Sequence, residues 1–237
     1  MEHPILFINL ILEKVGIHVP AEPHTFSDYL LQPHITYAWL IMVLLLILSA
    51  LTVRIIKMVP EGGQNFFEMV ITGIEEFMIG VTGEKGRPMF PLIASFAFFI
   101  LCSNYLGLIP GFASPTANLN TTLACALITV TMTHVLGIKF HGIKYIKHFM
   151  GPVWWLTPLI LPIEIVGHLS RIMSLSIRLF GNIFGEELIL TILFALAGLY
   201  MAPLPMMFLG LFTGLIQSFV FCLLSMMYFA GAIEEAH

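Results

Sequence analysis

The stretch Ile163–Leu199 reads IEIVGHLSRIMSLSIRLFGNIFGEELILTILFALAGL. It is apolar over a length no soluble core helix needs, and it lacks the strict alternation of a barrel strand. At about 1.5 Å per residue, such a helix outreaches a hydrocarbon core of about 30 Å. The expectation is a strongly tilted membrane helix, its first turns at the interface. Near its middle stands Arg178. An Arg at the centre of a membrane helix costs at least about 2.5–3.5 kcal/mol, and it cannot lose its proton to escape. Such a charge persists only beside a partner or a water-lined cavity, so it marks a functional site.

The rest of the chain agrees with a membrane class. Of 237 residues, 58% are hydrophobic and 10% are charged, where a soluble domain has about a quarter charged. The reading is a single all-α polytopic domain in the lipid bilayer. It has an N-terminal arm at 1–34 and span one at 35–57. Span two covers 88–109, span three 118–138, span four 163–199 and span five 206–233. Pro203 and Pro205 separate the last two spans, both longer than the bilayer is thick and both expected to tilt. The N-terminus lacks the charge pattern and small-residue site of a cleaved signal, and none is expected. Cys102, Cys125 and Cys222 are scattered through apolar runs and read as small core residues. The net charge of −4 says little about partners, and no nucleic-acid partner is expected.

Loop charge sets the orientation. Arg54, Lys57, Lys85 and Arg87 lie between spans one and two, and Lys139, Lys144 and Lys147 lie in the loop 139–151. The loops around Pro110–Ala117 and Met201–Pro205 carry no Lys or Arg. The positive-inside rule then puts the N-terminus outside and the C-terminus in the cytoplasm. Within 64–82, Phe66, Val70, Ile74, Phe77 and Val81 make an apolar stripe, with Glu68, Thr72, Glu75 and Glu76 on the other side. That is an interfacial amphipathic helix. Its acidic face is unsuited to anionic lipid, so it faces either water or protein.

Span four carries the chemistry. Glu164, Arg171 and Arg178 recur every seventh residue, and His168, Asn182 and Glu186 fall on the same side of the helix. Glu187 projects roughly opposite Arg178. Glu164 and His168 lie toward the cytoplasm, while Glu186 and Glu187 lie about 12 Å beyond Arg178 toward the exterior. Titratable groups thus approach a fixed cation from both sides. A device that must stop direct leakage needs such a cation; a single continuous proton wire does not. The alternative is a structural ion-pair ladder, Glu164–Arg171 with Arg178–Glu186. His134, His141 and His148 also recur every seventh residue, but about 10 Å apart along a helix they cannot share one metal ion. No metal, cofactor or phosphate-binding loop is expected.

Ser174-Leu-Ser-Ile-Arg178-Leu-Phe-Gly-Asn182, followed by Glu186-Glu187-Leu188, resembles the signature of subunit a of rotary F-type ATP synthases. Asn104–Pro110, Pro115–Asn120 and Gln217-Ser-Phe-Val-Phe resemble further segments of that family, so the likeness covers nearly the whole chain. It implies a non-catalytic stator subunit in a bacterial inner membrane. Its last two helices form a hairpin against a rotating ring of subunit c, and the peripheral-stalk subunit b is a further partner. By the resemblance, Arg178 meets the ring carboxylates and Gln217 lies beside it. Asn182 and Glu187 belong to an exterior half-channel, and Glu164 to a cytoplasmic one. The family's occasional His seven residues before Gln217 is here Gly210, so Glu186 with Glu187 is expected to supply the exterior path. A stand-alone secondary transporter and a structural scaffold are the alternatives, although no paired repeat is visible.

Overall fold

The computed structural model describes residues 30–54, 63–142, 157–197 and 203–234, with single positions 14 and 201. Six α-helices run through them: α1 Pro33–Arg54, α2 Gly63–Thr82, α3 Phe90–Gly107, α4 Leu119–His141, α5 Thr157–Ala197 and α6 Pro203–Ile233. A 3-10 helix, Glu84–Met89, leads into α3, and a short one, Pro115–Ala117, precedes α4. No strand occurs among the described residues. Among the described residues, five helices are long and apolar enough to cross a membrane, and α2 is not one of them. The architecture is an all-α integral membrane protein.

The helix ends follow local chemistry. α6 begins at Pro203, where the sequence reading starts the span at Met206. Both prolines fall in the first turn, whose N–H groups have no intrahelical acceptor, so neither breaks the helix. α5 likewise begins at Thr157, ahead of the expected Ile163, with Pro158 in its first turn and Pro162 inside it. α4 continues through His141 and takes up the start of the expected loop. His141 Nε2 lies 3.1 Å from the Ala232 carbonyl oxygen, which ties this last turn to the end of α6. Gly142, at φ 56°, then ends the helix in a conformation that suits a residue without Cβ. Apart from position 14, residues 1–29 of the expected arm lie outside the described residues, as does the loop 143–151.

α5 and α6 pack along each other and both pack on α4, while α3 lies against α6. Their shared core joins Ile93, Phe96 and Ile100 of α3 to Leu175, Leu179 and Ile183 of α5 and Phe221, Met226 and Phe229 of α6. Phe96 and Phe221 meet edge to face at 5.6 Å. Cys125 and Cys222 are free thiols within this core, and Cys102 is a half-buried free thiol. Met78 carries α2 into the same core, with Ile74 and Val81 beside it and Phe77 5.4 Å from Phe219. Phe66 of the expected stripe stays exposed. On the other side of α2, Glu75 pairs with Arg87 Nε at 2.9 Å. By contrast, most of α1 is exposed apolar surface, and it is held by buried Tyr37 and Ile41.

A buried polar knot closes the α3–α4 connection. Asn104 Nδ2 donates to the Gly214 carbonyl at 3.1 Å and so joins α3 to α6. Thr116 Oγ1 donates to Asn104 Oδ1 at 2.7 Å. Ser114 Oγ donates to the Ser103 carbonyl at 2.8 Å and lies 2.7 Å from Thr116 Oγ1. The two hydroxyls have two protons for three short contacts, so a proton turned to the Ser114–Thr116 contact is withdrawn from the Ser103 or the Asn104 carbonyl, and each hydroxyl depends on the other. Gly107 makes room for this turn, because a Cβ there would stand 2.7 Å from Ser114 Cβ. Thr116→Val keeps the shape and removes the donor to Asn104, leaving a buried acceptor unpaired. The expected cost is about 1–3 kcal/mol, read as a lower unfolding temperature of the detergent-solubilised protein, with Thr116→Ser losing less. An unchanged Thr116→Val variant would show that the knot contributes no stability.

Candidate functional site

Seven of the residues singled out by sequence lie on α5, but the helix does not present them to one neighbour. It is 41 residues long, so what it packs against changes along its length. His168 faces α4, where its ring centroid lies 4.5 Å from that of His134. Arg171 lies over the Tyr228 ring of α6 at 5.5 Å. Asn182 Nδ2 donates to Gln217 Oε1 of α6 at 2.8 Å. Glu186 packs against Gly210 of α6, where the carboxylate occupies the space that a Cβ would take. Glu187, on the far side of the helix, accepts the Ser114 N–H at 3.4 Å.

Arg178 is the exception. Its side chain is exposed, and Nη2 donates to Ser174 Oγ one turn back at 3.3 Å. The ion pairs among the described residues are Arg87–Glu75 and His168–Glu164, so neither Arg178 nor Arg171 pairs with a carboxylate there. The structural ladder Glu164–Arg171 and Arg178–Glu186 is not formed. Glu164 Oε1 instead lies 3.3 Å from Nε2 of His168, four residues on. Glu186 turns inward, and its side chain leaves Oε1 buried with no hydrogen-bond partner among the described residues.

Two clusters thus lie on either side of Arg178 along the helix. One holds Asn182, Gln217, Glu186, Glu187 and the Ser114 turn; the other holds Glu164, His168 and His134. Gln217, buried at 5% exposure, meets Asn182, one helical turn from Arg178. Sequence reasoning weighed His134 only along its own helix, where its spacing led nowhere; its partner lies across the α4–α5 boundary. It also missed Ser114, because a backbone N–H carries no signature in the sequence. No group of three or more His, Cys, Asp or Glu side chains is gathered as a metal site among the described residues.

Residues 35–230 match the family model described as ATP synthase A chain. A protein of Syntrophobacter fumaroxidans called ATP synthase subunit a is 72% identical over 239 residues, covering 100% of both chains. Proteins of the same description from Desulfosudis oleivorans and Geobacter sulfurreducens are 56% and 54% identical, again over the full length of both chains. A short Arg motif could recur by chance, but 72% identity over the full length of both chains could not. The chain belongs to the ATP synthase A chain family.

Proposed function

We propose that this chain is the stator subunit of the proton channel of an ATP synthase, with Arg178 as the barrier between two aqueous half-channels. One observation carries the reading. A permanent cation stands in a span with no carboxylate of the described residues paired with it, and it points outward. Its counter-charge then comes from outside the chain. A carboxylate carried past on a rotating ring of subunit c is such a partner, and peripheral-stalk subunit b holds the stator against that rotation. No observation favours a stand-alone transporter, and the missing ion-pair ladder removes the main support for a scaffold.

A deprotonated ring carboxylate is drawn to Arg178 by a charge-assisted contact, bidentate where geometry allows. Protons arriving by the exterior path neutralise it and release it. The neutral carboxyl can then enter lipid as the ring turns, and it loses its proton to the cytoplasmic path. Glu186, Glu187 and Asn182 serve the exterior path, with Gln217 steadying Asn182. Glu164 and His168 serve the cytoplasmic path. Beside Gly210 the Glu186 carboxylate is available to a mobile partner such as water or a proton. At the standard rise, Arg178 is about 12 Å from the glutamate pair and about 15 Å from His168, too far for one proton hop. Water in both paths weakens the Arg178 attraction enough for the ring to leave. The Lys and Arg distribution puts the N-terminus and its arm 1–34 outside and the C-terminus inside, with α2 at the interface.

Single cysteines in a background lacking Cys102, Cys125 and Cys222 test the orientation. Ala113→Cys and Leu204→Cys should react with an impermeant reagent from outside, and Lys144→Cys only from inside. Exterior reaction at 144 would reverse the two half-channels.

Glu187→Gln should slow proton-driven turnover in an assembled complex, about tenfold or more if it is a relay group. Equal harm from Glu186→Gln would make the pair one shared relay. Normal transport in the double Gln variant would remove both from the exterior path.

Arg178→Ala should abolish coupled pumping and ATP synthesis, while passive proton leak through the assembled membrane sector persists or rises. Arg178→Lys should fail as well, because Lys lacks the planar fork and can become neutral when desolvated. ATP-driven pumping beside passive flux in vesicles, with assembly verified, reads both. Near-normal coupled pumping in the Ala variant would sink the assignment.

A further inference from the structure

We infer that His134 and His168 work as one proton-handling pair with Glu164, a relay built across the α4–α5 boundary. The inference rests on the cytoplasmic-path reading of Glu164 and His168 and adds a member from a different helix. Three observations support it. Nε2 of His168 lies 3.3 Å from Glu164 Oε1. The His134 and His168 rings meet at 4.5 Å with a 58° tilt, both half-buried. Arg171, three residues after His168 on α5, is held over the Tyr228 ring of α6 at 5.5 Å. Among the described residues, Glu164, Arg171 and Tyr228 are the titratable and charged groups brought near the pair from α5 and α6.

Ring packing alone would not call for this composition. A Leu or Phe fills such a contact without the cost of burying a polar ring. Two imidazoles beside a carboxylate and a tethered cation instead provide groups that exchange protons near neutral pH. Protonated Glu164 passes its proton to Nε2 of neutral His168, which leaves a carboxylate and an imidazolium. The imidazolium loses a proton to water and returns to the neutral ring. The reverse order loads Glu164 from water. Two imidazolium rings in contact repel strongly at low dielectric, so the pair carries one charge at a time. His134 is in this sense a positioning residue. It sets the His168 ring against Glu164 and limits how long a proton stays there.

The test uses inverted membrane vesicles carrying the assembled complex, so that the cytoplasmic face meets the bath. ATP-driven proton uptake is followed against bath pH for His134→Phe, His134→Gln, His168→Asn and Glu164→Gln. A relay matters most when protons are scarce. The ratio of the rate at about pH 8.5 to that at about pH 6 should therefore fall about threefold or more in each His variant. The His134→Phe/His168→Asn double variant should lose no more than either single one, because the two act as a unit. A purely structural role scales the rate equally at every pH. Should His134→Phe fail to assemble, His134→Gln decides the matter. Profiles parallel to the unmodified protein in the His variants, with Glu164→Gln slowed, would overturn the relay and leave the access path standing. Normal uptake in Glu164→Gln as well would overturn both.

Discussion

A guanidinium that never loses its proton must be neutralised by something, and the described residues of this fold provide no carboxylate for Arg178. The constraint is severe because the residue stands in a helix long and apolar enough to cross a membrane. The other ionisable groups of the spans are placed differently. Glu186 is buried against α6, Glu187 takes a backbone N–H, and Glu164 meets His168. Glu186 shares a face with Arg178 but stands about 12 Å along the helix, Glu187 projects from the opposite side, and Glu164 is about 21 Å back. Their placement leaves the charge open, which is what the proposed function requires of it: room for a partner that comes and goes. A permanent internal salt bridge would hold the helices together and leave nothing to bind a moving group.

Keeping the acids away requires support, and the buried polar contacts supply it. The Ser114 turn that holds Glu187 is itself fixed by Thr116 and Asn104, and Asn104 reaches across to the Gly214 carbonyl. Asn182 is fixed by Gln217. On α6, Gly210 and Gly214 both sit where another helix comes close: Glu186 against the first, Asn104 Cβ 3.2 Å from where a Cβ of the second would be. The missing side chains let polar groups of α5 and α3 approach the α6 backbone. A chain of hydrogen bonds inside lipid-facing helices is stable only when each member is satisfied. That makes α3, α4 and the turn between them part of the site, although none of them carries the cation.

Helix length shapes the outer surface. α5 and α6, at 41 and 31 residues, exceed the hydrocarbon thickness and cannot stand upright within it. Their exposed faces carry Ile177, Phe184, Phe212, Leu215 and Phe219, among others. This is a surface suited to lipid or to another apolar helix, and Arg178 opens onto it. α4 lies behind them, buttressing both, with Thr122 against Ser176 and Thr129 against Ser225 at 3.2 and 3.3 Å.

Some of this was legible in the residues alone. Runs of twenty or more apolar residues can satisfy their backbone in lipid only as helices, so the number of spans and the amphipathic character of 64–82 follow from hydropathy and period. The prominence of Arg178 follows from the cost of its charge. Helix ends were less legible, because whether Pro203 breaks or begins a helix depends on which turn it occupies. Direction of side chains across helices was not legible at all. On a wheel, His168 and Glu186 share a face, yet one meets His134 of α4 and the other Gly210 of α6. The wheel describes angle about one axis; it says nothing of which neighbour stands at each height along a helix of 41 residues. That the ladder is absent, that Glu187 rests on a backbone N–H, and that His134 has a second imidazole beside it are consequences of how three helices cross. Only the packing of the whole chain decides those crossings, because contacts far apart in sequence must be satisfied together.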